Sequence, residues 1–206
     1  MVQNVIIKEY SRLAKIYDSR WKSYSEASTR EILSRLSLKN SDKILDVGCG
    51  TGFLLYHLSE RYPDVQLSGV DPVKAMLDVA RKKLPVRVDL REGWAEQLPF
   101  ADHNFNLVLS NSVFHYIRDI QTALKEARRV LRPGGQLVIT DWCYNCFTTR
   151  LTDLFLRYFD QAHFRSYSVN KIRALLEENY FSVLQIDRYM INRWWGMMTI
   201  KAQRKG

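Results

Sequence analysis

The chain has 206 residues, 46% of them hydrophobic and 26% charged, with three cysteines and a formal net charge of +9. That size supports one ordinary globular core without disulfide or metal staples, and excludes disordered and fibrous classes. No apolar run approaches the ~18 residues of a membrane span, and three cysteines make no disulfide framework, which points to a reducing, cytoplasmic setting.

In chain order, residues 4–17 read as an amphipathic helix with Ile6, Tyr10, Leu13, Ala14 and Tyr17 on one side. Lys8 and Glu9 interrupt the apolar start, which does not read as a signal peptide. Residues 43–47, 66–70, 86–90, 105–110 and 136–140 read as short buried strands. Between them the spacing predicts helices over 73–84, with Pro72 at the first helical position, and over 119–131, with Asp119 as N-cap and Pro133-Gly134-Gly135 as terminator. Residues 142–167 are aromatic-rich and irregular, with a helix expected from Thr149 to Phe159. A last helix runs from Val169 to Asn179, capped by Ser168 and ended at Asn179, a residue tolerant of left-handed geometry. Two strands follow, 181–187 and about 189–202, too closely connected to be parallel. Strand–helix alternation of this kind builds a parallel sheet with helices on both faces.

Leu45-Asp46-Val47-Gly48-Cys49-Gly50-Thr51-Gly52 follows the first strand and opens a helix. The third glycine comes one residue earlier than in the G-x-G-x-x-G loop that seats a dinucleotide pyrophosphate. Asp46 would repel a pyrophosphate and suits a ligand bearing an ammonium group. Asp71, about 20 residues on at the end of the second strand, can accept from both ribose hydroxyls, cap the following helix, or do both.

These segments, with 69–80, 93–116 and 123–140, resemble the class I S-adenosylmethionine-dependent methyltransferases of the methyltransferase type 11 group, in its ubiquinone/menaquinone C-methyltransferase-like branch. The resemblance covers residues 43–141 and fades beyond Asp141. It implies an α/β, Rossmann-like, doubly wound seven-stranded sheet, mostly parallel, with the last strand antiparallel. One domain is expected: a helical cap (1–40), a cofactor-binding core (41–141), a substrate lid (142–167) and a C-terminal helix with a strand pair (168–206).

By resemblance S-adenosylmethionine is the cofactor, with S-adenosylhomocysteine as product. It would be held by Asp46, Gly48, Gly50, Gly52, Asp71, Met76, Trp94, Ala95, Ser110, Asn111 and Tyr17. Trp94 stands where the family usually has Asp, and Asn106 where it usually has Asp. His115, just past the fourth strand, is the candidate catalytic base. Tyr144, Phe155, Phe159 and His163 are the candidate acceptor pocket, which suits an aromatic or lipid-like small molecule. No metal is expected, since Cys143-x-x-Cys146 lacks a second ligand pair.

The expected partner is a small methyl acceptor. No specific nucleic acid and no transmembrane segment are expected; peripheral membrane contact and the oligomeric state stay open. Two other functions stay open: a non-catalytic or regulatory S-adenosylmethionine-binding protein, and an RNA or protein methyltransferase using the basic surface.

Overall fold

The computed structural model describes residues 2–146, 149–150, 153–154, 164–192 and 195–206. Three helices come first: α1 (Val2–Leu13), α2 (Tyr17–Arg20) and α3 (Lys22–Leu33). The expected single helix over 4–17 therefore ends early, and two more follow it. The core then alternates β1 (Lys43–Val47), α4 (Phe53–Arg61), β2 (Gln66–Asp71), α5 (Lys74–Lys83), β3 (Asp89–Glu92), β4 (Phe105–Asn111), α6 (Ile120–Val130) and β5 (Leu131–Trp142). It closes with α7 (Val169–Glu178), β6 (Phe181–Met190) and β7 (Gly196–Arg204). The helix expected from Thr149 to Phe159 lies largely outside the described residues.

The seven strands form one sheet in the order β3-β2-β1-β4-β5-β7-β6. β1 pairs in parallel with β2 on one side and β4 on the other. The chain therefore leaves β1 in one direction and returns to its opposite flank. That reversal opens a crevice beyond the strand C-termini, where such sheets bind ligands. β7 runs antiparallel to both β5 and β6, as two strands joined by a short turn must.

Alternate strand residues feed two cores, because successive side chains point to opposite faces. Leu45, Val108, Leu137 and Ile139 join α6 and α7 through Leu124, Ile172 and Leu176. Ile44, Leu107, Leu109 and Val138 join α4 and α5 through Leu55, Leu58, Leu77 and Ala80, with Ile32 of α3. Side chains buried this completely contribute roughly 1.5–3 kcal/mol each. They fix the strand ends against which the site is built.

Four local expectations need correction. β3 begins three residues later than Val86: Val88 donates to the Pro85 carbonyl in a turn, and Val86 is fully exposed. Pro72 precedes the N-cap of α5, which is Val73, instead of opening the helix. Pro133-Gly134-Gly135 lies within β5, where the pairing with β4 shifts register, and α6 ends before it. Asn179 keeps φ −96°, and the left-handed residue after α7 is Tyr180, at φ 62°. The Asn179 amide instead donates to Leu175 and Gln121.

Candidate active site

The loop after β1 folds back on its neighbour strand. Gly48 and Cys49 both donate their N–H groups to the Val70 carbonyl, at 2.8 and 3.0 Å. Gly48 has φ +74°, and a Cβ there would lie 2.3 Å from Val113, so only glycine lets the loop press against the turn after β4. Asp71, at the end of β2, joins the loop to α5. Its Oδ2 accepts from Gly50 N and its Oδ1 from Val73 N, each at 2.9 Å. It thus caps the helix start and still reaches the crevice with spare lone pairs. Burial pushes its carboxyl up to about 6, against the pull of those two N–H groups.

Asp46 is 2% exposed, and its Oδ1 has no hydrogen-bond partner. Burial, and then the charge of Asp71, push its carboxyl up to about 7. A buried acceptor without a donor carries a free-energy cost that a bound cation removes.

The N-terminal helices roof the crevice. Ile6, Tyr10, Ala14 and Tyr17 pack on Val73 and Met76 of the α5 region. Asp18 accepts from Thr51 in the glycine loop and pairs with Lys83 at the end of α5. The Tyr10 hydroxyl bonds that of Tyr116. The Tyr24 hydroxyl bonds Ser112 at 2.6 Å and accepts from the Trp142 indole at 2.9 Å. Beneath this roof lies a cavity of about 160 Å³ that straddles β1. Its wall runs from the glycine loop and Asp71 to the loop after β3 on one flank, and to the residues after β4 on the other.

Asp46, Gly48, Gly50, Asp71, Met76, Trp94, Ala95, Asn111 and Tyr17 all reach this wall. Gly52 and Ser110 do not. Gly52, at φ +75°, is the N-cap of α4, and a Cβ there would meet Leu84 at 2.7 Å and Ala80 at 3.1 Å. It lets α4 approach α5. Ser110 turns its hydroxyl to the Val47 carbonyl.

His115 lies behind the wall and not on it. It is 1% exposed and stacks on Trp142 at 4.2 Å. Asp141 grips it twice, through Nδ1 at 2.6 Å and the backbone N at 3.1 Å. This arrangement props Trp142, which in turn holds Tyr24. Tyr144 lies outside the cavity, under the Arg150 guanidinium. Phe155, Phe159 and His163 lie outside the described residues. Cys49 reaches the wall, and burial pushes its thiol up. Cys143 is buried and Cys146 half-buried, both free thiols.

Ile6, Tyr10, Tyr24, Thr51, Ser112 and Tyr116 are wall residues absent from the sequence-derived set. One sequence signal marks some of them. Tyr10, Tyr17 and Tyr24 recur every seven residues, and all three reach the cavity.

Comparison with known proteins places this fold among methyltransferases. Residues 45–139 match the family described as methyltransferase domain. A demethylmenaquinone methyltransferase of Chlorobaculum parvum is 35% identical over 118 residues, 57% of this chain and 47% of that protein. A malonyl-[acyl-carrier protein] O-methyltransferase of Coxiella burnetii is 34% identical over 140 residues, 67% of this chain and 47% of that protein. The chain spans about half the length of these relatives. Among solved structures, a Haloferax volcanii putative methyltransferase, determined in complex with the Trm112 methyltransferase activator, superposes with a TM-score of 0.86 at 18% identity. That match covers 96% of this chain and 98% of the other. The cofactor of this domain is S-adenosylmethionine, and the orphaned Asp46 oxygen fits its ammonium group as the spare lone pairs of Asp71 fit its ribose. Residues 45–139 are thus similar to the methyltransferase-domain family, and the described residues carry the class I methyltransferase fold.

Proposed function

We propose that this chain transfers a methyl group from S-adenosylmethionine to a small acceptor of aromatic or lipid-like character. The observation that carries the reading is the buried Asp46 oxygen without a partner, set beside Asp71 at the point where the strand order reverses. When bound, the cofactor supplies an activated methyl group on a sulfonium. The protein's part is then mainly alignment and exclusion of water, because the donor needs little further activation. Asp46 accepts from the ammonium group, Asp71 from the ribose hydroxyls. Met76, Trp94 and Ala95 supply the apolar surface for the adenine ring. Of the roof tyrosines, Tyr17 closes the cavity over the cofactor, and Tyr10 and Tyr24 close it over the acceptor side. His115 acts in this reading as a positioning residue, through Trp142 and Tyr24.

Calorimetry tests the first half of the reading. S-adenosylhomocysteine should bind and NAD should not; tight NAD binding without S-adenosylhomocysteine binding refutes it. Incubation with S-adenosylmethionine and a metabolite extract, read by mass spectrometry, tests the second half. A product carrying one added methyl group is expected, and a protein that binds the cofactor yet methylates nothing supports the regulatory alternative.

A further inference from the structure

We propose that the acceptor presents an uncharged amine nitrogen to the tyrosine-lined part of the cavity, and that this part of the wall selects for the positive charge the nitrogen acquires. The inference rests on the methyl-transfer reading and deepens it. Four tyrosines reach the wall: Tyr10, Tyr17, Tyr24 and Tyr116. The hydroxyls of Tyr10 and Tyr116 are bonded to each other, and that of Tyr24 to Ser112 and Trp142. Tyr10, Tyr24 and Tyr116, with their hydroxyls engaged in this way, have their rings left for the cavity. Ring faces attract a cation through their quadrupole, more strongly when water is excluded.

The charges on the wall point the same way. Asp46, Asp71 and Glu96 reach it, whereas no lysine or arginine does among the described residues. In a chain of net charge +9 that distribution is a local inversion of sign. Asp46 and Asp71 serve the cofactor, so the cavity keeps no cationic partner for a carboxylate or phosphate acceptor among its described residues. The transfer forms one nitrogen–carbon bond, breaks one carbon–sulfur bond with its pair going to sulfur, and moves the positive charge from sulfur to nitrogen. A tertiary amine then needs no base; a primary or secondary amine afterwards releases one proton to water. This suits a cavity whose neighbouring imidazole, His115, is held by Asp141 behind the wall.

The test is binding, read by calorimetry on the full chain saturated with S-adenosylhomocysteine. Three probes of one shape are compared: choline, its uncharged carbon analogue 3,3-dimethylbutan-1-ol, and the anion 3,3-dimethylbutanoate. Choline should bind at least about tenfold more tightly than the neutral analogue, a difference of ~1.4 kcal/mol by the affinity relation, and the anion most weakly. Tyr116→Leu should cut choline binding about tenfold, and Tyr116→Phe should retain it, because phenylalanine keeps the ring. Equal binding of choline and its neutral analogue, or tighter binding of the anion, overturns the inference. The wild-type probe series decides the matter even where a variant fails to fold. Loss of S-adenosylhomocysteine binding itself would instead refute the methyl-transfer reading.

Discussion

Replacing Asp46 by asparagine separates the ammonium-binding role of this carboxylate from the burden it places on the empty site. Burial and the charge of Asp71 push the Asp46 carboxyl up to about 7. An ordinary aspartate titrates near ~3.9, and each tenfold in affinity is ~1.4 kcal/mol, so the ionised group costs the ligand-free fold on the order of 4 kcal/mol. The folded value lies above the unfolded one. Its favourable contribution is therefore complete below about pH 4 and is lost as pH rises through about 7. Asp71, pushed up to about 6, adds to the lower part of that window. Ligand-free wild type should lose melting temperature from pH 4.5 to pH 8. Asp46→Asn should lose much less and melt higher at pH 8. S-adenosylhomocysteine requires the ionised form, so its affinity for wild type should rise toward pH 7 and level off above it. At pH 8 the variant should bind it more weakly by ~1.5–3 kcal/mol, the scale of a hydrogen bond to a charged group. Thermal melts and calorimetry across that pH range measure both. A variant with wild-type affinity at pH 8 and a wild-type stability profile refutes the reasoning.

Other substitutions divide the site in the same way. Asp71→Ala should lower S-adenosylhomocysteine affinity by ~1.5–3 kcal/mol and also lower the melting temperature, because Gly50 and Val73 lose their acceptor; a fall in stability with unchanged affinity would reduce Asp71 to a helix cap. Gly52→Ala should destabilise by ~1–3 kcal/mol through its left-handed backbone while leaving calorimetric affinity within about threefold (~0.7 kcal/mol). A tenfold loss of affinity in a protein of normal stability would restore Gly52 to the cofactor wall. Association with structured RNA should be weak and vanish near physiological salt, with a log–log slope of roughly −0.9 per duplex phosphate neutralised. Sub-micromolar binding at that salt, in a filter or polarisation assay, would move the basic surface into the function.

The central strands were legible because their apolar runs are buried on both faces, and a helix pattern separates each from the next. β3 was not. It is a short edge strand carrying Asp89, Arg91 and Glu92, and charge on an edge guards against pairing with another chain while hiding the strand from an apolar pattern. The last helix ends at Asn179 as expected, but the left-handed turn falls one residue later, on Tyr180, while the Asn179 amide bonds Leu175 and Gln121. In the site, Asp46, Gly48 and Asp71 were legible from order and spacing along one loop. Gly52 was assigned to the ligand by resemblance and Ser110 by its place at a strand C-terminus, yet each turns to a neighbouring element. Tyr24 escaped because α3 was not anticipated, and its partners Ser112 and Trp142 are 88 and 118 residues away. Contacts of that range depend on how the N-terminal helices land on the sheet, which no local pattern encodes.

The two halves of the cavity are held by different physics. Behind the glycine loop the wall rests on side chains such as Ile44, Leu55 and Leu109, which are fully buried. Opening it means exposing a core. The roof rests on a small apolar patch around Met76 and on a few polar ties: Asp18 to Thr51 and Lys83, Tyr10 to Tyr116. Lys83 and Asp18 keep 23% and 35% of their side chains exposed, and pairs of that kind contribute little, of order 1 kcal/mol or less. The roof should therefore lift by local opening well below the global unfolding free energy, giving the ligand a way in. Amide hydrogen exchange followed by mass spectrometry reads this directly. Peptides from α1 and α2 should exchange faster than β1 and β4 in the ligand-free protein, and slow markedly when S-adenosylhomocysteine fills the space beneath Tyr17 and Met76. Equal protection of roof and strands without ligand would mean that the N-terminal helices open only with the core, and entry would then have to run past the loop after β3.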